Sequence, residues 1–303
     1  MATAQGILTA RGGMTSHAAV VARGMGKCCV AGAEAIKVFE KKDYFTVGET
    51  KINRDEWITL DGSTGEVFLG QMPTVEPELS GNFGLFMEWV DSFRKIGVRT
   101  NADTPKDTQK AVQFGAQGIG LFRTEHMFYG EGSEKPLFLL RKMIMSGTKE
   151  ERIAALDQLS VFVKRDIKAT MEVLHGLPIT IRLLDPPLHE FVPHDEAGQK
   201  ALAKTVGIPF DTVKQRIEKL HESNPMLGHR GCRLAITYPE ILEMQVTAIM
   251  TAACRMAKKG VKVFPEIMIP LVIDATELSL LEKLTRTVAD AVIAKNGVKV
   301  KYL

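Results

Sequence analysis

Before residue 100 the apolar positions fall in short runs broken by turn residues, and after it short apolar runs alternate with longer amphipathic stretches. Ile7-Leu8-Thr9-Ala10 reads as a buried strand and Ala18 to Ala22 as a helix, with Gly24 a fitting stop. Ala35 to Val47 has a strand-like mixture. Trp57 to Leu60, the turn Asp61-Gly62-Ser63-Thr64-Gly65 and Glu66 to Leu69 predict a β-hairpin. Pro73 to Ser80 carries two prolines, two glutamates and no period, so it is read as a linker. Phe83, Phe86, Met87, Val90 and Phe93 then recur at helical spacing, predicting a helix over Asn82 to Lys95.

From Val98 onward the pattern becomes strand then helix, repeated. Strands are expected at Val98–Ala102, Gly118–Phe122, Ile179–Leu184, Gly231–Leu234 and Val263–Val272, with the start of a sixth at Val298–Leu303. Helices are expected at Pro105–Phe114, Glu150–His175, Gly198–Thr205, Phe210–Ser223, Pro239–Lys258 and Asp274–Ala294. Such alternation predicts an α/β fold, a parallel sheet with helices outside it. Six strands fit an open sheet or an unfinished (β/α)8 barrel, and a chain that stops inside a strand favours the barrel. The domain boundaries read from this pattern are 1–72, a linker and connecting helix over 73–97, and 98–303.

Composition narrows the class. The chain is 45% hydrophobic and 25% charged, with a net charge of +3 and no clustered basic tract, which argues against a nucleic-acid partner. No apolar run reaches the ~18 residues of a membrane span, and the N-terminus does not read as a secretory signal. Cys28, Cys29, Cys232 and Cys254 lack zinc-ligand spacing, so reduced thiols in a cytosol-like compartment are expected.

Candidate chemistry lies in two places. In Gly12-Gly13-Met14-Thr15-Ser16-His17, a glycine pair permits a tight turn and Thr15 or Ser16 can cap the following helix. His17 then falls in the first helical turn, where unpaired N–H groups favour a phosphoryl group. A ring nitrogen placed there is a candidate phosphoryl acceptor. The second place is the ends of two predicted strands, where Arg123 and Arg182 suit a small, doubly anionic ligand. Taken singly, each arginine also fits an ion pair with Glu125 or Asp185, and His126 and His189 fit loop packing.

Gly12 to Arg23 resembles the phosphohistidine signature of the phosphoenolpyruvate-utilising enzymes. Lys27-Cys28-Cys29-Val30-Ala31-Gly32 is similar to the dikinase branch of that family. So are Gly118-Ile119-Gly120-Leu121-Phe122-Arg123-Thr124-Glu125-His126, Ile181-Arg182-Leu183-Leu184-Asp185-Pro186-Pro187-Leu188-His189, Asn101-Ala102-Asp103-Thr104-Pro105 and Asn224 to Arg233. The resemblance implies a swivelling phosphohistidine β/α domain followed by a truncated TIM-type (β/α)8 barrel. It implies reversible phosphoryl transfer from ATP, through a phosphohistidine at His17, to pyruvate, giving phosphoenolpyruvate, AMP and pyrophosphate. Arg123 and Arg182 would bind substrate, Arg230 would face the same site, and Thr15 would be regulatory through phosphorylation. It further implies Mg2+ held by residues beyond 303, a nucleotide domain ahead of residue 1, and a homodimer when full length. The chain alone is then expected to be inactive, and the compartment to be the cytoplasm or a plastid or other organelle.

Overall fold

The computed structural model describes residues 3–24, 26–74, 81–129, 132–221, 224 and 227–303. It divides into two units, Met1–Pro77 and Glu78–Leu303. Residues 75–80 of the expected linker, and Pro225 and Met226 of the Asn224 to Arg233 stretch, lie outside the described residues.

In the first unit, strand β1 (Gly6–Thr9), helix α1 (His17–Gly24) and strand β2 (Cys28–Ala31) form a compact β-α-β element. The two strands are parallel, with Gly6 opposite Cys28 and Thr9 opposite Ala31. Ala19 and Ala22 are the buried residues of α1, so the helix lies close on small side chains. The Ala35 to Val47 stretch becomes β3 (Ile36–Phe39) and β4 (Tyr44–Val47), and β5 (Thr50–Asn53), which the pattern did not signal, completes an antiparallel sheet. The expected hairpin is β6 (Ile58–Leu60) and β7 (Val67–Leu69). Its turn is held by Asp61, whose Oδ1 accepts the N–H groups of Ser63 at 2.8 Å and Thr64 at 3.2 Å. Those donors hold the Asp61 carboxyl below its ordinary pKa.

The second unit opens with α2 (Gly81–Phe93), whose apolar stripe of Phe83, Phe86, Val90 and Phe93 is exposed. There follow β8 (Thr100–Asn101), α3 (Pro105–Gln113), β9 (Ile119–Arg123) and a 3-10 turn over Thr124–Phe128. Helices α4 (Glu134–Ile144) and α5 (Lys149–Leu174) lead to β10 (Pro178–Arg182). After a second 3-10 turn at Leu188–Phe191 come α6 (Glu196–Val206), α7 (Phe210–Leu220), α8 (Gly231–Thr237) and α9 (Pro239–Lys258). Strand β11 (Phe264–Met268) and helix α10 (Ala275–Asn296) follow. The strands make one parallel sheet in the order β11-β10-β9-β8.

Sequence explains the long helices. Helix α5 starts on a capping box, Thr148 accepting the Glu151 N–H while the Glu151 carboxylate accepts from the Thr148 N–H. Its buried residues Leu156, Leu159, Val163, Ile167, Met171 and Leu174 recur every three or four positions. Helix α9 is buried nearly all round, including Ala248, Ala252 and Ala253, and its contact with α5 is the centre of the core.

Two expectations need correction. Gly231–Leu234 is not a strand. The Tyr238 N–H donates to the Leu234 carbonyl at 2.8 Å, a helical bond that makes these residues part of α8. Gly231, Cys232 and Leu234 are all buried, so burial does not alternate as in a half-buried strand, and the segment is a single helical stretch that stops before Pro239. Val298–Leu303 is not a formed strand either. Leu303 alone bonds alongside β11, its N–H donating to Pro265 at 3.2 Å and its carbonyl accepting from Ile267 at 2.7 Å. The sheet therefore has four strands among the described residues, not six. Helix α4 had no counterpart in the sequence reading.

At the N-terminal side of this sheet, Glu266 of β11 accepts from Arg99 at 2.6 Å and from the Thr180 hydroxyl of β10 at 2.6 Å. Arg99, first, and the Thr180 hydroxyl hold the Glu266 carboxyl below its ordinary pKa, against the opposite pull of burial. A depressed folded pKa contributes stability that is present above the unfolded value and is lost as pH falls through the folded value. Glu266→Gln is therefore expected to lower stability at neutral pH by about 1 kcal/mol, a figure discounted for the solvent-facing Arg99. The gap to the parent should close as pH falls below the ordinary glutamate value of about 4.3. Urea unfolding of both proteins across that range checks it, and a gap that widens in acid would contradict it.

Candidate active site

In the first unit the turn ahead of α1 is built by close backbone contact. Gly12 has φ +105°, and a Cβ placed on Gly32, itself at φ +80°, would lie 2.3 Å from the Gly12 carbonyl oxygen. Neither a side chain at residue 32 nor a shifted Gly12 fits that contact. The chain then turns through a bond from the Ser16 N–H to the Gly13 carbonyl, 2.9 Å, and the Ser16 hydroxyl accepts the Ala19 N–H at 3.3 Å. Of the two candidate caps, Ser16 is the one that bonds. Thr15 and His17 are both exposed, with His17 the first residue of α1. Beside the turn is a cleft of ≈ 440 Å³ lined by Met14, Lys27, Cys28, Cys29 and the Gly62–Gly65 turn. The Cys28 thiol donates to the Leu60 carbonyl at 3.3 Å and so ties β2 to the hairpin.

In the second unit, Arg123 and Arg182 are register partners, each the last residue of its strand. Parallel neighbours at one rung place two guanidiniums side by side at the carboxyl ends of the strands, and carboxylates from adjoining loops neutralise them. Asp103, just after β8, accepts the Arg123 backbone N–H at 2.7 Å and its Nη2 at 2.6 Å. This partner holds the guanidinium pKa above its usual value, against burial. The same carboxylate lies 3.0 Å from His126 Nδ1. Arg182 donates through Nη2 to Glu125 and lies 3.2 Å from Asp185 through Nη1. Arg230 Nη2 donates to Asp185 at 2.8 Å.

The three arginines singled out in the sequence fall in two ion-pair groups, Arg182 and Arg230 joined through Asp185 and Arg123 paired with Asp103 beside them. The ion-pair alternative holds for Arg182 with both of its named carboxylates, whereas Arg123 uses Asp103 instead. Glu125 and Asp185 are both buried, and Glu125 Oε2, Arg182 Nε and Asp185 Oδ1 are enclosed polar atoms with no hydrogen-bond partner among the described residues. A cluster with spare donors and acceptors between its arginines can rearrange around a small anion without moving its backbone.

Other singled-out residues fall elsewhere. His189 packs among the rings of His194 and His221, at 6.4 and 6.5 Å between centroids. Burial pushes the thiols of Cys232 and Cys254 up, and neither sits among the arginines. Sequence reasoning missed Asp103 as a partner and Gln245 altogether. Gln245 is buried on α9, with Nε2 donating to Thr124 Oγ1 at 3.0 Å and Oε1 accepting the Leu184 N–H at 3.0 Å. The available signal was a lone amide between Met244 and Val246 on that helix.

Comparison with known proteins agrees with these two regions. The family model described as PEP-utilising enzyme, mobile domain, matches residues 1–65, and the one described as PEP-utilising enzyme, PEP-binding domain, matches residues 77–302. The chain is 50% identical over 303 residues to the pyruvate, phosphate dikinase of Clostridium symbiosum, matching all of this chain and 34% of that protein. It is 52% identical over 304 residues to the chloroplastic pyruvate, phosphate dikinase 1 of Arabidopsis thaliana, again all of this chain and 31% of the relative. For the pyruvate, phosphate dikinase of Rhizobium meliloti (strain 1021) the identity is 48%, over 34% of the relative. The chain thus spans about a third of the length of the curated relatives it matches. With a turn that presents a histidine at a helix start, an arginine cluster at the carboxyl ends of a parallel sheet, and family models over both regions, this chain belongs to the PEP-utilising enzymes.

Proposed function

We propose that this chain is the part of a pyruvate, phosphate dikinase that holds the phosphoryl carrier and the arginine half of the phosphoenolpyruvate site. The carrying observation is near 50% identity, across every region of the chain, to proteins named pyruvate, phosphate dikinase. The geometry adds a reason for each residue. Phosphoenolpyruvate carries a carboxylate and a phosphate, and Arg123 and Arg182, adjacent at one rung, can each take one of them in bidentate fashion. Arg230 supports Arg182 through their shared Asp185. The reaction transfers the phosphoryl group to a ring nitrogen of His17. The P–N bond forms as the P–O bond of the enol ester breaks, the electron pair stays on the enolate oxygen, and a proton added at carbon completes pyruvate. N–H groups at the start of α1 stabilise the phosphoryl oxygens. In the other half-reaction His17 exchanges the same group with nucleotide and phosphate, linking ATP and phosphate to AMP and pyrophosphate.

On this reading residues 1–72 are the swivelling domain, 73–97 its linker and connecting helix, and 98–303 the first part of a TIM-type barrel. The all-parallel sheet and the bonding of Leu303 beside β11 support the last assignment. The Mg2+ used in this family is assigned no ligand among the residues present. Among the described residues no group of three His, Cys, Asp or Glu side chains is arranged to hold a metal ion. The carboxylates nearest the arginines are bonded to them, so no step is assigned to the metal here. A homodimer and a cytoplasmic or plastid location accompany the same reading, and no helix among the described residues is long and apolar enough to cross a membrane.

Three outcomes are expected. In a chimaera where this chain replaces the matching third of the Clostridium symbiosum relative, His17→Asn should abolish both half-reactions and all acid-labile labelling from radioactive phosphoenolpyruvate, while nucleotide binding persists. Label on another residue, with turnover retained, would refute the assignment of His17. In calorimetric titrations of the chain itself, Arg123→Met and Arg182→Met should each weaken phosphoenolpyruvate binding at least about tenfold; unchanged affinity in both would remove the arginines from the site. Finally, Thr15→Glu in the chimaera should lose most His17 labelling, because a carboxylate two residues away repels the incoming phosphoryl group and competes for the same N–H donors. Thr15→Val should lose less. Near-normal labelling of the Glu variant would exclude charge at residue 15 as a switch.

A further inference from the structure

Beyond the rung at Arg123 and Arg182, the ladder between β9 and β10 stops. Residue 124 enters a 3-10 turn, and residues 183–187 lie outside helix and strand. Past the rung, backbone pairing persists only toward β11, where the Leu183 N–H donates to the Met268 carbonyl at 3.0 Å, and among the described residues none joins β9 to β10. Gln245 makes that missing link. It is 5% exposed on α9, flanked by the buried Leu242, Val246 and Ile249. Its amide reaches Thr124, the residue after Arg123, and Leu184, two residues after Arg182, at 3.0 Å each. The Leu184 N–H is a donor and fixes which end of the amide faces it, so the NH2 end must face the Thr124 hydroxyl. Thr124 is 1% exposed and Leu184 5%, so water does not replace either bond at low cost.

We infer that Gln245 is a positioning residue, a side-chain rung that sets the spacing of Arg123 and Arg182 and so their joint grip on one small dianion. The inference rests on the reading of these arginines as the phosphoenolpyruvate site. Its physical core is narrower: an amide from a third element spans the two loops that leave the arginine rung. Polar burial in the most enclosed helix of the unit is costly unless it is satisfied, and here one bond falls on the residue after Arg123 and the other two residues after Arg182. Methionine matches glutamine in length and packs in the same space, but leaves the Leu184 N–H and the Thr124 hydroxyl without this partner.

The test compares the parent chain with Gln245→Met by nitrogen-15 spectra of arginine Nε–H groups, without ligand. Arg152 serves as the internal control, since its Nε donates to Glu240 of the same helix at 2.7 Å. Shift or broadening of the Arg123 and Arg182 signals, with Arg152 unmoved, is the expected result. Unchanged Arg123 and Arg182 signals, or all three moving together as in a general loosening of α9, would overturn the proposal. A second arm titrates phosphoenolpyruvate into Gln245→Met, Thr124→Val and the double variant. Affinity should fall about tenfold in the Met variant, and the double variant should lose no more than the larger single loss. Additive losses would overturn the proposal. If the parent chain binds no phosphoenolpyruvate, the arginine-site reading falls, while the spectra still decide whether Gln245 holds the rung.

Discussion

Two like charges at one rung of a parallel sheet are the constraint on which the second unit depends. Arg123 and Arg182 are forced side by side by strand register, and without nearby anions they would repel. Each adjoining segment answers with a carboxylate: Asp103 after β8, Glu125 in the turn after β9, Asp185 in the loop after β10. Asp185 also joins distant parts of the chain, because its backbone carbonyl accepts the Gly231 N–H at 3.1 Å while its carboxylate holds Arg230. The start of α8 is thereby tied to the arginine rung. The large α5 and α9 core provides the rigid support that such a desolvated ionic cluster needs.

The first unit solves a different problem with different means. His17 stands exposed at a helix start, with little built around the residue and much beneath it. The contact between the Gly12 and Gly32 backbones leaves no room for a side chain, and the buried faces of Ala19 and Ala22 seat the helix. The Ser16 cap ends the turn. His17 itself is left exposed.

How far these features could be read in advance follows from the range of the forces involved. Helix α9 was predicted over the same residues it occupies, because Pro239 fixes its start and it is rich in apolar residues over its whole length. The hairpin at Ile58–Leu69 was legible from Asp61 and its glycines, which act within the turn. The Gly231–Leu234 segment was misread because four residues are too few to show a period. The bonds that Arg233 and Leu234 make back to Arg230, and Tyr238 to Leu234, make it helical. Strand β5 was not signalled because its burial rests on one residue, Ile52, between exposed neighbours. At the site, the arginines were legible as charged residues at strand ends. Their surroundings were not, since Asp103 reaches Arg123 across 20 residues of sequence and Gln245 reaches the neighbouring Thr124 across 121.

The balance of charge in the arginine cluster carries one more consequence. Arg123, Arg182 and Arg230 face Asp103, Glu125 and Asp185, three guanidiniums against three carboxylates, so the cluster is close to neutral as a whole. A cluster of that kind projects little field beyond its own dimensions. On the function proposed above, an anion would not be drawn in from a distance and would have to take over hydrogen bonds that the carboxylates already make. Selection would then be made at contact, by geometry, and capture would depend far less on salt than at a bare trio of arginines.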